Sequence, residues 1–361
     1  MKLSKISILH VTNNLGFGGV QKIIYQLCDA TRDSFKNIKV ASTGGVYVDR
    51  LKGIGIEHYD IPDLSTKNPI DMLKIVRILT KIVKENHINV IHCHHRMAVF
   101  YAKLIPVKVK IVYNNHTIYS DKAKSTHRIL KNVDIIADGV KARKNVTDFF
   151  EIKDENRITT INNAVDAYDG YYEEIKEITR AREEGKFIVM NSARLHPQKG
   201  MKYFVEAADI LVKKGCEITF FIVGDGPLKE EIKGMVKEKK LEKNVIFLGF
   251  RKDIKNTISQ CDLLVLTSVY EGLPLTPMEA FSVKKAVVAT DIDGTREVVE
   301  NGYNGLLAET ENPLDIAEKI ETMYRNREVL NKYCENAYQT YLDKFSIETF
   351  SKEYLTFYKK L

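Results

Sequence analysis

The feature that most constrains this 361-residue chain is a rhythm, run through twice, of short apolar segments separated by amphipathic stretches. In the first half the apolar segments are residues 6–11, 38–42, 89–93, 110–113 and 135–137. Between them, residues 20–30 and 70–84 carry apolar side chains at helical spacing, with Met72, Leu73, Ile75, Val76, Leu79 and Val83 on one broad face. Strands separated by helices of this length predict parallel βαβ units with right-handed crossovers. The polar stretch 166–185 breaks the rhythm and reads as a linker. A second series then places strands at 187–190, 219–223, 245–248, 263–266 and 286–289. The chain is longer than one core usually serves. The expected fold is therefore α/β, with two Rossmann-like doubly wound domains, residues 1–168 and 185–340. Ligands of such sheets sit at the carboxyl ends of the strands, so both domains are expected to face a central cleft.

Composition narrows the class. A hydrophobic fraction of 44% with 29% charged residues describes an ordinary globular protein. No run approaches the roughly 20 apolar residues that span a bilayer, and residues 1–6 lead into a strand without a signal-peptide pattern. Cys28, Cys93, Cys216, Cys261 and Cys334 are odd in number, scattered and free of any CxxC pair, which argues against a disulfide framework or a zinc ribbon and for a cytoplasmic location. The net charge of +7 divides into +12 over residues 1–150 and −5 over the remainder. A basic first half faces something anionic. No motif supports nucleic acid. Residues 96–104 pair an apolar face with cations, as a helix lying on an anionic membrane does, although a helix packed on its own sheet accounts for the same residues.

The chemistry concentrates in the second half. Glu271-Gly272-Leu273-Pro274-Leu275-Thr276-Pro277-Met278-Glu279 follows a buried strand and opens a helix, expected near Pro277, with Glu279 in its first turn. Two carboxylates eight residues apart can meet one ligand from two sides, beside the anion-attracting N–H groups of the turn. Arg194 and Lys199 flank a turn after the domain's first strand, offering a planar fork and a mobile point charge to phosphate oxygens. Gly224-Asp225-Gly226-Pro227 is a tight turn read as architectural. A dinucleotide-binding dehydrogenase is excluded, because Gly16 and Gly18 are followed by Gln21 where the third glycine should stand. His92 and His94 share a strand face, but no acidic residue or further cysteine stands nearby to complete a metal site.

Together these segments resemble the GT-4 family of retaining glycosyltransferases, which have the GT-B fold. The resemblance is carried by Glu271 and Glu279, by Arg194 and Lys199, by Gly224-Asp225-Gly226-Pro227, by Gly18-Gly19, and by residues 294–307. It covers nearly the whole chain, including residues 341–361 as a closing helix that crosses back to the first domain. The resemblance implies a nucleotide-sugar donor, UDP- or GDP-linked, and a saccharide or lipid-linked acceptor. Glu279 would accept hydrogen bonds from the donor ribose, and Glu271 would hold the transferred sugar. Arg194, Lys199 and the N–H groups of Leu275 and Thr276 would hold the diphosphate. Gly18 and Gly19 would admit it closely, and the base would rest near Gly249, Phe250 and Arg251. His116 would reach the reacting sugar or the acceptor, with His94 and His95 on the acceptor side. No cofactor or metal is implied, and Asp291-Ile292-Asp293 is read as a chance match to a metal-binding DxD. Surface polysaccharide, capsule or lipopolysaccharide synthesis at the inner face of the cell membrane is the expected setting. The alternatives are a non-catalytic nucleotide-sugar binder and a sugar-nucleotide epimerase of the same architecture. At Gly294-Thr295 the chain departs from the family's usual glycine pair, beside the expected phosphate site.

Overall fold

A computed structural model describes residues 2–16 and 18–361. The chain forms two compact units, Met1–Asn163 with Ile347–Leu361, and Ala164–Ser346. The first holds β1 (Ser7–Val11), β2 (Asn37–Ser42), β3 (Glu57–Asp60), β4 (Val90–Cys93), β5 (Lys110–Asn115), β6 (Asp134–Ala137) and β7 (Ile158–Thr160). They make a parallel sheet in the order β3-β2-β1-β4-β5-β6-β7. The second holds β8 (Phe187–Ser192), β9 (Ile218–Val223), β10 (Val245–Gly249), β11 (Leu263–Leu266), β12 (Val287–Thr290) and β13 (Gly305–Ala308), parallel in the order β10-β9-β8-β11-β12-β13. Both are Rossmann-like.

The strands the apolar pattern misses are β3, β7 and β13, and each lies at a sheet edge. An edge strand buries less, so Glu57-His58-Tyr59-Asp60 has no apolar run to betray it. The stretch read as a linker is instead built into the second unit. It contains the helix Lys176–Glu183, whose Ile178 and Ala181 are buried, and Ile175 N–H donates to Gln260 at 3.1 Å. The helix Pro69–Glu85 starts where Asn68 accepts the Ile70 N–H, and it buries Ile75, Leu79, Ile82 and Val83. Leu73 does not share that face; it lies about 200° round the helix from Ile75 and is 60% exposed. The helix Arg96–Leu104 turns Ala98, Val99, Tyr101 and Ala102 inward. Its apolar face is used by its own unit, which removes the reason to read it as a membrane-binding helix. No helix among the described residues is long and apolar enough to cross a membrane.

The closing helix Ile347–Lys360 buries Phe350, Tyr354, Phe357 and Tyr358 within the first unit, and Ser351 Oγ donates to Ala30 O at 3.0 Å. Beneath it the sheet is polar. His10 of β1 and His92 of β4 are register partners, and with His94 they are buried. Burial pushes the His10 imidazole down to about 3. Burial, reinforced by neighbouring imidazoles, also holds His92 and His94 well below the ordinary histidine range. The folded state thus keeps neutral three rings that the unfolded chain protonates below about 6.5.

Two outcomes are expected. Phe350→Ala should remove about 3–5 kcal/mol of stability in urea unfolding; a loss under about 1 kcal/mol would mean the closing helix is not docked as described. Because the depressed pKa values belong to bases, their stability is present above pH 6.5 and lost as pH falls toward 3. Each such histidine should contribute a slope of about 1.4 kcal/mol per pH unit in that window. Urea midpoints that stay level from pH 7 to pH 5 would contradict neutral buried imidazoles.

Candidate active site

In the second sheet the strand order reverses between β8 and β11, and Arg194, Lys199, Glu271, Leu275, Thr276 and Glu279 follow the carboxyl ends of those two strands. The ends are tied together: Asn191 Nδ2 donates to Thr267 Oγ1 at 3.2 Å, and Thr267 Oγ1 donates to Lys199 O at 3.0 Å. Gly200 makes this possible. Its φ is +58°, and a Cβ there would stand 2.1 Å from Thr267 O. Lys199 Nζ is thereby brought to Glu271 Oε1 in an ion pair. Ser268 Oγ also donates to Oε1, at 2.7 Å. Gln198 Nε2 donates to Tyr270 O at 3.0 Å and fixes the loop. The Glu271 side chain is 8% exposed and that of Lys199 is 25% exposed, so the ammonium compensates a nearly buried carboxylate.

Arg194 belongs to the same loop but is exposed, and its side chain has no hydrogen-bond or ion-pair partner among the described residues. Its backbone is held firmly. Leu195 N–H donates to Asp225 O at 3.0 Å, and a Cβ on Gly224 would stand 2.0 Å from Ala193 O. The helix expected near Pro277 begins two residues earlier, at Leu275. Pro274, extended at φ −72° and ψ 130°, is its N-cap and brings no capping side chain. Leu275 and Thr276 are therefore the first helical residues, and half-buried Glu279 falls in the second turn, not the first. Gly249 adopts φ +69° and its carbonyl accepts the Gly224 N–H at 2.7 Å. Arg251 forks onto Asp253 at 2.9 and 2.6 Å.

The departure at Gly294-Thr295 has a structural account. A Cβ on Gly294 would stand 1.9 Å from Gly272 O, so this turn lies tight on the backbone beside Glu271. Thr295 is fully buried, and its hydroxyl donates to Ile292 O at 2.9 Å. Asp291 is held by the Arg296 guanidinium, with Nη2 at 2.9 Å, which keeps its carboxyl below the usual range; Asp293 lies 3.6 Å from the same group.

The first sheet reverses between β1 and β4. After β1, Gly18 caps the helix Gly19–Thr31. A Cβ on Gly18 would meet Gln21 Oε1 at 2.3 Å, whereas Gly19 stands in open space. After β4, His95 Nδ1 accepts the Met97 N–H at 3.3 Å and starts the helix Arg96–Leu104. His94 is not at the surface: it is buried, and both its ring nitrogens are engaged, with His10 Nδ1 at 3.0 Å and His116 Nε2 at 2.9 Å. His116 Nδ1 continues to Asp138 Oδ2 at 2.6 Å, and only 3% of its side chain is exposed. Asn114 Nδ2 donates to the other Asp138 oxygen, and Tyr354 OH donates to Asn114 Oδ1 at 2.5 Å. His92 Nδ1 meets Tyr358 OH at 2.6 Å. Of these groups, His10, Asn114, Asp138, Tyr354 and Tyr358 escape a motif search. The available signal was His10 itself, because a histidine in a strand read as buried must find a partner.

Two family profiles match the chain: "Glycosyltransferase Family 4" over residues 17–168 and "Glycosyl transferases group 1" over residues 172–340. An Escherichia coli UDP-Gal:alpha-D-GlcNAc-diphosphoundecaprenol alpha-1,3-galactosyltransferase is 27% identical over 95% of this chain and 94% of its own. A Staphylococcus aureus poly(ribitol-phosphate) alpha-N-acetylglucosaminyltransferase is 33% identical over 47% of this chain, which spans 35% of that protein's length. The crystal structure of a glycosyltransferase from Rickettsia africae superposes with a TM-score of 0.86 at 21% identity, over 99% of this chain and 98% of that one. With one profile on each unit and this architecture throughout, the chain belongs to the family 4, group 1 glycosyltransferases of the GT-B type.

Proposed function

We propose that the chain transfers a hexosyl group, with retention and without a metal, from a UDP- or GDP-sugar to a hydroxyl of a lipid-linked saccharide in surface-glycan synthesis. The observation that carries this reading is the meeting of Lys199 and Glu271 across the strand reversal of the second sheet, with Arg194 exposed on the same loop. The two cations and the helix start at Leu275 and Thr276 supply positive potential for a diphosphate leaving group, which is preorganised electrostatic stabilisation. Glu271 then holds the transferred sugar, and Glu279 accepts from the ribose. The acceptor class is taken from the names of the relatives, one acting on a diphosphoundecaprenol-linked sugar and the other on poly(ribitol-phosphate). Peripheral association with the inner face of an anionic membrane rests on the +12 charge of residues 1–150 and on that acceptor class.

The test is nucleoside diphosphate release from UDP-, GDP- and ADP-sugars in EDTA, with and without undecaprenyl-diphosphate-linked saccharides. One donor should turn over only with an acceptor present. Lys199→Ala and Glu279→Ala should each reduce kcat/KM by about 100-fold or more. Measurable donor binding with no release from any donor would move the assignment to a nucleotide-sugar binder, conversion of the donor to an epimeric nucleotide-sugar without release would move it to an epimerase, and release to water in the absence of any acceptor would move it to a hydrolase.

A further inference from the structure

The first unit holds a cluster that the donor chemistry does not use. One ring nitrogen from each of His10, His92 and His94 lies within 4.8 Å of the others. These rings do not form a converging metal site. Their mutual tilts are 39°, 31° and 24°. His94 has both nitrogens in hydrogen bonds already.

What the geometry does build is a line. His10 to His94 and His94 to His116 each have ring centroids 5.2 Å apart. With nitrogens at 3.0 and 2.9 Å, that spacing fits imidazoles joined end to end. A neutral imidazole has one N–H and one lone pair, so such a line must point one way. Its anchor settles which way. Asp138 accepts from the Asn114 amide on one oxygen, and Asn114 is itself fixed by Tyr354 OH on its carbonyl. The remaining Asp138 oxygen meets His116 Nδ1, where a lone pair would face a lone pair and only an N–H fits. His116 Nε2 is then an acceptor and takes the N–H of His94 Nδ1. His94 Nε2 in turn takes the N–H of His10 Nδ1. The line ends on a lone pair at His10 Nε2, an atom that is buried and has no hydrogen-bond partner among the described residues.

We infer that Asp138 is a positioning residue that sets the tautomer of three histidines at once and makes His116 Nε2 an obligate hydrogen-bond acceptor. Its kinetic consequence rests on the transferase reading above. A substrate hydroxyl reaching His116 Nε2 replaces the His94 N–H there, exchanging one N–H···N bond for one O–H···N bond, and no proton changes owner. A site so wired favours a hydroxyl that donates and disfavours a group that only accepts.

The experiment is a long-range proton–nitrogen correlation on protein labelled with 15N-histidine at neutral pH, run beside steady-state kinetics. Wild-type His10, His94 and His116 should all carry the proton on Nδ1. In Asp138→Asn the new amide keeps its oxygen for Asn114 and turns its NH2 toward His116 Nδ1. The line should reverse, moving all three protons to Nε2, and kcat should fall about 100-fold or more with the donor KM within about threefold of wild type. The wild-type spectrum needs no variant to fold and no substrate, so it decides the wiring even where no donor turns over. A wild-type ring found protonated on Nε2, or charged, overturns the inference. Retained Nδ1–H tautomers in Asp138→Asn overturn it too, and so does reversal with unchanged kcat, which would leave Asp138 a structural residue.

Discussion

In a parallel sheet, successive connections on one side roof over the strand ends beneath them. Where the strand order reverses, the two chains leaving neighbouring strands run to opposite faces, and the ends between them stay open. Lys199 and Glu271 meet across such a reversal, on the loops that follow β8 and β11. The loops cannot drift, because Asn191, Thr267 and the Lys199 carbonyl tie the two strand ends together. Most of the second unit's candidate chemistry depends on this arrangement. A lysine and a glutamate 72 residues apart in sequence become one ion pair, and a carboxylate that would be costly to bury alone is compensated.

The first sheet has the same reversal and answers it with different chemistry. Here His10 and His94 are kept neutral, because burial disfavours their charged forms. A hydrogen-bonded series of neutral groups avoids the desolvation cost of an ion pair, but it requires every donor to point the same way. An ion pair tolerates rotation of either partner, whereas a line of imidazoles is sensitive to a single reversed tautomer. The second site is therefore fixed by charge and the first by direction.

How much of this was legible follows from where each signal lives. The fold was written in the apolar strands, because buried strands are mostly apolar, and ten of them, nine central and the edge strand β10, stand out on that basis alone. The edge strands β3, β7 and β13 were not, because an edge has little to bury. Arg194, Lys199, Glu271 and Glu279 were legible as charged residues beside strand ends. The pairing of Lys199 with Glu271 was not, since it depends on register between β8 and β11. The burial of His94 was not legible for a related reason. A histidine just past a strand end reads as surface, and only the parallel register of His10 with His92 shows that the interior here is lined with imidazole. Asp138 carries no motif and matters only through the oxygen it turns to His116.

The close backbone approaches around the second sheet add a last constraint. At Gly200 and Gly294 a β-carbon would stand about 2 Å from the carbonyl of a neighbouring loop, at 2.1 and 1.9 Å. Loops pressed together in this way are fixed by steric contact between main chains, independently of what their side chains do. Arg194 shows the benefit: its neighbour Leu195 is buried and bonded to Asp225 O, while its own guanidinium stays exposed. A cation whose root is rigid and whose head is unengaged loses little backbone entropy when it takes up a phosphate oxygen. Lys199, by contrast, already shares its ammonium with Glu271, so an anion arriving there meets a charge partly compensated by a carboxylate in place. On the transferase reading proposed above, Arg194 would suit capture of the donor, and Lys199 the charge that develops as the donor's bond breaks.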